Sequence, residues 1–261
     1  MREWILAEQN HAFIREQKWE VAVLPFGATE PHNLHMPYAT DIYEVEAIGS
    51  RACERAYRAG AKVLLLPAVP FGVNTNHLKI PGGLALSLKP TTLLAILNDL
   101  VDALERQGIR KLLLLNGHGG NELKPLMRDL HHRSEVFLCL CDWFRMAPDA
   151  YKDIFEQPGE HADEVETSLG LAFFPDLLRM ELADDGAVTQ TKFDAINRGW
   201  ISITRPWHLA TRNTGMGNPA PASADKGRRL MDVLVQRLSD FLIELAKAPF
   251  NGDFPYEPRQ R

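Results

Sequence analysis

Four short apolar runs, Val21–Leu24, Val63–Leu66, Leu112–Leu115 and Val136–Leu140, each end in or near proline, glycine, asparagine or aspartate. Runs of this length without polar alternation suit strands buried on both faces, the habit of a parallel sheet. Helical periods lie between them. Ile42, Val45, Ile48, Ala52 and Ala56 recur at helical spacing up to Gly60. Leu93, Ile96, Leu97, Leu100, Val101 and Leu104 do the same from Pro90 to Gly108, with proline at the start and glycine just past the end. Strand and helix therefore alternate, which predicts an α/β fold with a largely parallel sheet and helices on both faces. Leu230, Leu234, Leu238, Phe241 and Leu245 form one stripe of a long amphipathic helix over Ser223–Lys247. Between Asp176 and Pro221 no period is clear, and only Ile201–Thr204 reads as a strand. The 261 residues show no repeat, low-complexity tract or internal boundary, so a single domain over 1–261 is expected.

Composition narrows the classes of function. With 45% hydrophobic and 24% charged residues the chain reads as globular, and a net charge of -5 offers no basic face for nucleic acid or an anionic membrane. No segment approaches a membrane span, and Met1–Leu6 does not open a secretory signal, so a cytoplasmic location is expected. Cys53, Cys139 and Cys141 are an odd number in apolar surroundings and read as reduced, buried side chains. Cys139 and Cys141 would share one face of a strand.

Polar residues cluster where the first and third apolar runs end, and in open α/β sheets that is where ligands bind. Glu30 and His32 are separated by one residue, so an extended backbone aims both side chains to one side. Asp41 follows at the start of a predicted helix, where a carboxylate either bridges two cations or caps the helix. His118 stands in Asn116-Gly117-His118-Gly119-Gly120-Asn121, whose glycines let the backbone approach a ligand closely. A phosphate cradle is the competing reading, but the dinucleotide fingerprint and the Walker lysine are both missing. Downstream, His161 and Glu166 converge only if His161 precedes the helix that the acidic residues announce. Asp163 and Glu164 read as a solvated helix start, whereas Glu166, between Val165 and Leu169, faces inward and there requires a cation or hydrogen bonds.

Glu30, His32, Asp41, His118 and Glu166 together supply three carboxylates and two imidazoles. This donor set suits Zn²⁺ first, with Mn²⁺ or Fe²⁺ as alternatives. Five ligands exceed the need of one tetrahedral ion and suit two cations about 3.5 to 4 Å apart, with an open position for water. Hydrolysis of an amide-like bond in a small molecule is the natural use, and His161, beside the cluster and surplus to ligation, is the candidate proton carrier. The alternatives are a metal- or small-molecule-binding protein without turnover and a nucleotide binder using the glycine loop. His35 and His77 are candidates to support the ligands. Lys79, Arg205, Trp207 and His208 either line a substrate pocket or are ordinary surface and core residues. His11, His131 and His132 receive no role.

These segments resemble the creatininase family of metal-dependent amidohydrolases. The family shows Glu-x-His-Gly-Pro-His-Leu-Pro leading to Thr-Asp, then Asn-Gly-His-Gly-Gly-Asn, then His-Ala followed by Glu-Thr-Ser. The likeness continues through Phe71-Gly72, Pro81-Gly82-Gly83 and Thr214–Pro219. It implies a three-layer α/β/α sandwich, usually assembled as a hexamer. It also implies that Glu30, Asp41 and His118 hold one metal while His32, Asp41 and Glu166 hold the other, with His161 as the catalytic histidine. Asn33 and Leu34 replace the usual Gly-Pro, and Pro31 the more common glutamine. Creatininases proper carry Tyr-Glu after Asn-Gly-His and use that glutamate on the metal. Here Gly119 and Gly120 stand there, and Gln157–Glu160 lacks the tryptophan expected against creatinine. A substrate other than creatinine is therefore expected.

Overall fold

The computed structural model describes residues 1–257, so the last four residues of the expected domain lie outside the described residues. All four apolar runs are strands: β1 (Val21–Phe26), β2 (Val63–Leu65), β3 (Lys111–Asn116) and β4 (Phe137–Asp142). They form one sheet, ordered β2-β1-β3-β4, in which every pairing is parallel. The connections are helical: α1 (Thr40–Arg58) follows β1, α2 (Pro90–Arg106) follows β2 and α3 (Leu123–Leu130) follows β3. After β4 come α4 (Pro148–Ile154), α5 (Glu164–Phe173) and α6 (Ala224–Lys247).

The two-residue repeat of a strand explains why apolar runs are required. Val21, Val23, Val63, Leu65, Leu113 and Leu115 point to one face and pack with α1, α5 and α6. Their neighbours Ala22, Leu24, Phe26, Leu64, Leu112 and Leu114 point to the other and pack with α2 and α3. Helices on both sides make the three-layer sandwich. Strand β4 has a neighbour on one side only and is half-buried, with Cys139 and Cys141 sharing the α6 face as free thiols.

The segment 176–221 follows a different rule. It is built of turns and the single-turn helices Asp194–Asn197 and Trp207–Ala210, and the strand expected at Ile201–Thr204 is absent. Ile201 and Ile203 are exposed, and no neighbouring strand accepts their amides. Alternation alone cannot make a strand without a partner to complete its hydrogen bonds. Among the described residues no helix is long and apolar enough to cross a membrane.

Because β1 leads to β2 on one side while β3 lies on the other, the sheet has its switch point at the carboxyl ends of β1 and β3, where Phe26 pairs with Asn116. The loops that leave these two ends carry Glu30, His32 and His118.

Candidate metal centre

All six residues singled out for chemistry meet above the β1–β3 seam. His118 Nδ1 lies 3.0 Å from Glu30 Oε1 and 3.3 Å from Asp41 Oδ2, and His32 Nε2 lies 2.9 Å from Asp41 Oδ1 and 4.0 Å from Glu166 Oε2. His161 Nδ1 is 3.8 Å from Glu30 Oε1. Donor atoms of Glu30, Asp41 and His118 lie within 4.8 Å of one another, as do those of His32, His161 and Glu166. His161 precedes α5, held by backbone bonding to Met216, and this is how two residues five apart come to face the same space.

The three imidazoles are oriented in the same way. His32 Nδ1 donates to Glu30 O at 3.0 Å, His118 Nε2 to Val73 O at 3.4 Å and His161 Nε2 to Pro31 O at 3.0 Å. Each backbone carbonyl fixes one ring nitrogen as the donor, so the other is aimed at the carboxylates, the arrangement typical of metal-binding histidines. The His118 loop is tied down by its asparagines. Asn116 Nδ2 donates to His118 O and to Asp142 Oδ1, and Asn121 Nδ2 donates to Gly27 O and to Asn116 Oδ1. A Cβ on Gly117 would come within 2.6 Å of Val45 Cγ1, so glycine lets the loop rest on α1.

Of the two readings of Asp41, the helix cap is removed by geometry. Ala39 is the N-cap of α1, no side chain caps that end, and Asp41 is buried with its oxygens turned to His32 and His118. The solvated helix start expected at Asp163 and Glu164 is corrected outright, since both are buried. Asp163 caps α5 by accepting from the amides of Val165 and Glu166, and its other oxygen takes Gly159 N. Glu164 accepts from the amides of Glu156 and Gln157 and from Lys226 Nζ. Acidic residues at a helix start look alike in sequence whether they meet water or a folded-back loop.

Burial raises the cost of charge throughout the cluster, and the neighbours decide which groups keep it. Burial works against an ionised Glu30, but His118 outweighs it and holds the carboxyl down at about 2. Burial likewise opposes a charged His32, yet Asp41, Glu166 and Glu30 push its pKa up to about 9, and His118 is raised well above its ordinary value against Glu30 and Asp41. Glu166 is pushed up to about 8, by burial first. Burial and then His32 lower His161 to about 3, which leaves it neutral.

Protons on His32 and His118 thus supply the positive charge that the carboxylates demand. No lysine or arginine pairs with Glu30, Asp41 or Glu166 among the described residues. A divalent cation carries the same charge and fits the same donors. Glu30 Oε2 and Asp41 Oδ2 are buried without a hydrogen bond, although His77 Nδ1 is 3.0 Å from the first and His118 Nδ1 3.3 Å from the second. Close donor atoms that do not bond each other are what two ligands of one cation present.

Some participants were weighed lightly in the sequence or missed. His77 touches Glu30 directly and stacks on Trp207 at 4.5 Å, whereas His35 bonds Thr167 Oγ1 behind the cluster. Glu44, one turn beyond Asp41, is buried with both oxygens unbonded, and burial followed by Glu166, Asp41 and Asp163 raises its pKa well above the ordinary value. Its helical spacing from Asp41 was the available signal. Two cavities, of about 330 and 590 Å³, open onto the cluster and share Glu30, His118, His161, Glu160 and Arg145. Arg205 and Trp207 line the larger one, while Lys79 and His208 line neither.

A parallel three-layer sandwich with a histidine–carboxylate cluster at its switch point defines a class of hydrolases. The chain belongs to the creatininase family: the family model described as creatinine amidohydrolase matches residues 7–242. A solved structure of a putative creatinine amidohydrolase from Bacteroides fragilis superposes with a TM-score of 0.89 at 36% identity, covering 95% of this chain and 98% of that one. The creatinine amidohydrolase of Pseudomonas putida is 29% identical over 248 residues, 86% of this chain and 89% of that protein. The mycofactocin precursor peptide peptidase of Mycobacterium tuberculosis (strain CDC 1551 / Oshkosh) is 26% identical over 228 residues, 82% and 80% of the respective chains. This protein is accordingly a hydrolase of that family.

Proposed function

We propose that the protein hydrolyses a cyclic amide, a formamide or a related C–N bond of a small molecule on a binuclear metal site. The observation that carries this reading is the division of Asp41: Oδ1 is turned to His32 and Oδ2 to His118, so one carboxylate stands between two ligand groups. Glu30, Asp41 and His118 would hold one ion and His32, Asp41 and Glu166 the other, with Zn²⁺ the best match and Mn²⁺ or Fe²⁺ compatible. Two such ions supply Lewis acidity towards a carbonyl oxygen and a water made acidic enough to attack near neutral pH.

The chain's own residues do the rest. Pro31 O fixes the His161 proton on Nε2, so Nδ1 presents a lone pair to the cluster and can take a proton from the attacking water and pass it to the leaving nitrogen. His77 and Trp207 form a stacked wall beside His161, with ring centroids of His161 and Trp207 4.9 Å apart. A Cβ on Gly120 would run into His118 Nε2 and Val73 O, so the glutamate that creatininases carry there has no room. Glu166 takes its place on the second ion, and a substrate other than creatinine follows.

The free cysteines suit a reducing compartment. His161→Ala tests the proposal: metal content stays near wild type while hydrolysis of small amides falls by roughly 10²- to 10⁴-fold. Loss of metal in that variant would make His161 a ligand, and a wild type that turns over no amide would favour a binding protein.

A further inference from the structure

We infer that Arg145 is the receptor for a carboxylate on the substrate, which makes the molecule taken a small amide carrying one negative charge near its scissile bond. The inference rests on the hydrolase reading above and deepens it. Arg145 ends the single turn Trp143–Arg145 directly after β4, on the wall common to both cavities that reach Glu30, His118 and His161. Its nearest acidic partner is Asp142 Oδ2, at 3.7 Å, and Asp142 Oδ1 already accepts from Asn116 Nδ2 at 2.9 Å. The guanidinium lies 5.7 Å from the Phe144 ring centre, and the side chain is 69% exposed. Arg205, the other guanidinium on the larger cavity, is engaged instead, with Nη2 on Glu160 Oε2 at 2.9 Å and Nη1 on Met216 Sδ. Among the described residues Arg145 thus makes no hydrogen bond through its guanidinium and is held only by the loose Nη1 pair with Asp142, so its planar donors can turn to a carboxylate bidentately.

The remaining charges on these walls fix the class of anion. Outside the metal cluster and the Asp163 cap, the acids are Glu160, occupied by Arg205, and Glu122. One guanidinium, already shared with Asp142, offsets at most one negative charge, so a phosphate dianion would be left partly uncompensated in a cavity that Glu122 also lines. A cavity of 330 to 590 Å³ suits a small molecule held at both ends.

The test is equilibrium titration of the metal-loaded protein with acetate and with the dicarboxylates from malonate to adipate, in wild type and Arg145→Met. Acetate reports binding at the cluster alone. At least one dicarboxylate should bind the wild type about tenfold or more tighter than acetate, and that advantage should disappear in Arg145→Met with acetate affinity unchanged. An equal advantage in both proteins, or none in either, overturns the inference. Turnover of N-formylglycine against formamide separates it from the hydrolase reading. Raised KM for N-formylglycine alone in Arg145→Met, with kcat kept, supports the receptor; no turnover of either amide by wild type counts against hydrolysis, and the titration still decides the role of Arg145.

Discussion

His32 shows how a single residue ties sequence to chemistry. It is buried completely, gives Nδ1–H to Glu30 O and turns Nε2 to Asp41. Such a histidine keeps its proton up to about pH 9 because the carboxylates around it outweigh burial, and Glu30 and Asp41 raise His118 well above its ordinary value for the same reason. A cation binds only the deprotonated rings, so metal loading must expel those protons. The sign is definite: apparent metal affinity rises with pH for as long as His32 and His118 have protons to lose. Calorimetric titration with Zn²⁺ at pH 7, in buffers of different ionisation enthalpy, should count about two protons released per chain or more. Release of none would show that the imidazoles are not ligands. The members of the cluster were legible in the sequence because Glu30, His32, Asp41 and His118 fall in short motifs that follow strand ends. His77 was named only as a supporting candidate and Arg145 not at all, since neither a loop histidine nor a surface arginine carries any period that says what it faces.

Among the elements, helix ends were the hardest to read. The stripe of α6 predicts the helix, and Ser223 Oγ caps its start by accepting from Lys226 N. Nothing in the pattern says that its end is held by Lys111, the first residue of β3. Lys111 is buried and its Nζ donates to Leu245 O at 2.7 Å and Ala248 O at 2.6 Å. A cation at a helix C-terminus meets both the dipole and the last free carbonyls, so this contact clamps α6 to the sheet. Lys111→Met should lower unfolding stability by about 2 to 3 kcal/mol in denaturant titration, with the metal site intact. An unchanged midpoint would mean that water replaces the clamp. Glu164 plays the equivalent part for α5, fastening the Glu156–Gln157 turn and Lys226 around the helix start. The Lys111 and Lys226 contacts join residues far apart in sequence, and local propensity says nothing of them.

At the scale of the molecule, the four runs foretold the parallel sheet because burial on both faces leaves no room for polar alternation. The segment 176–221 was illegible for the converse reason, being made of turns whose partners lie far away in sequence. That region also exposes Leu177, Leu182, Phe193, Trp200, Ile201, Ile203 and Leu209. Exposed apolar side chains concentrated in one segment are available for contacts between copies, and we propose self-assembly through this segment. Light scattering should give a homo-oligomer, a hexamer by family resemblance, and Trp200→Glu should shift it to smaller species. A monomeric wild type would assign the face another purpose. The central claim is that Asp41 stands between two cations, and anomalous diffraction from Zn²⁺-loaded crystals tests it most directly. The account predicts two peaks about 3.5 to 4 Å apart with one Asp41 oxygen on each; a single peak, or a pair that Asp41 does not join, would contradict it.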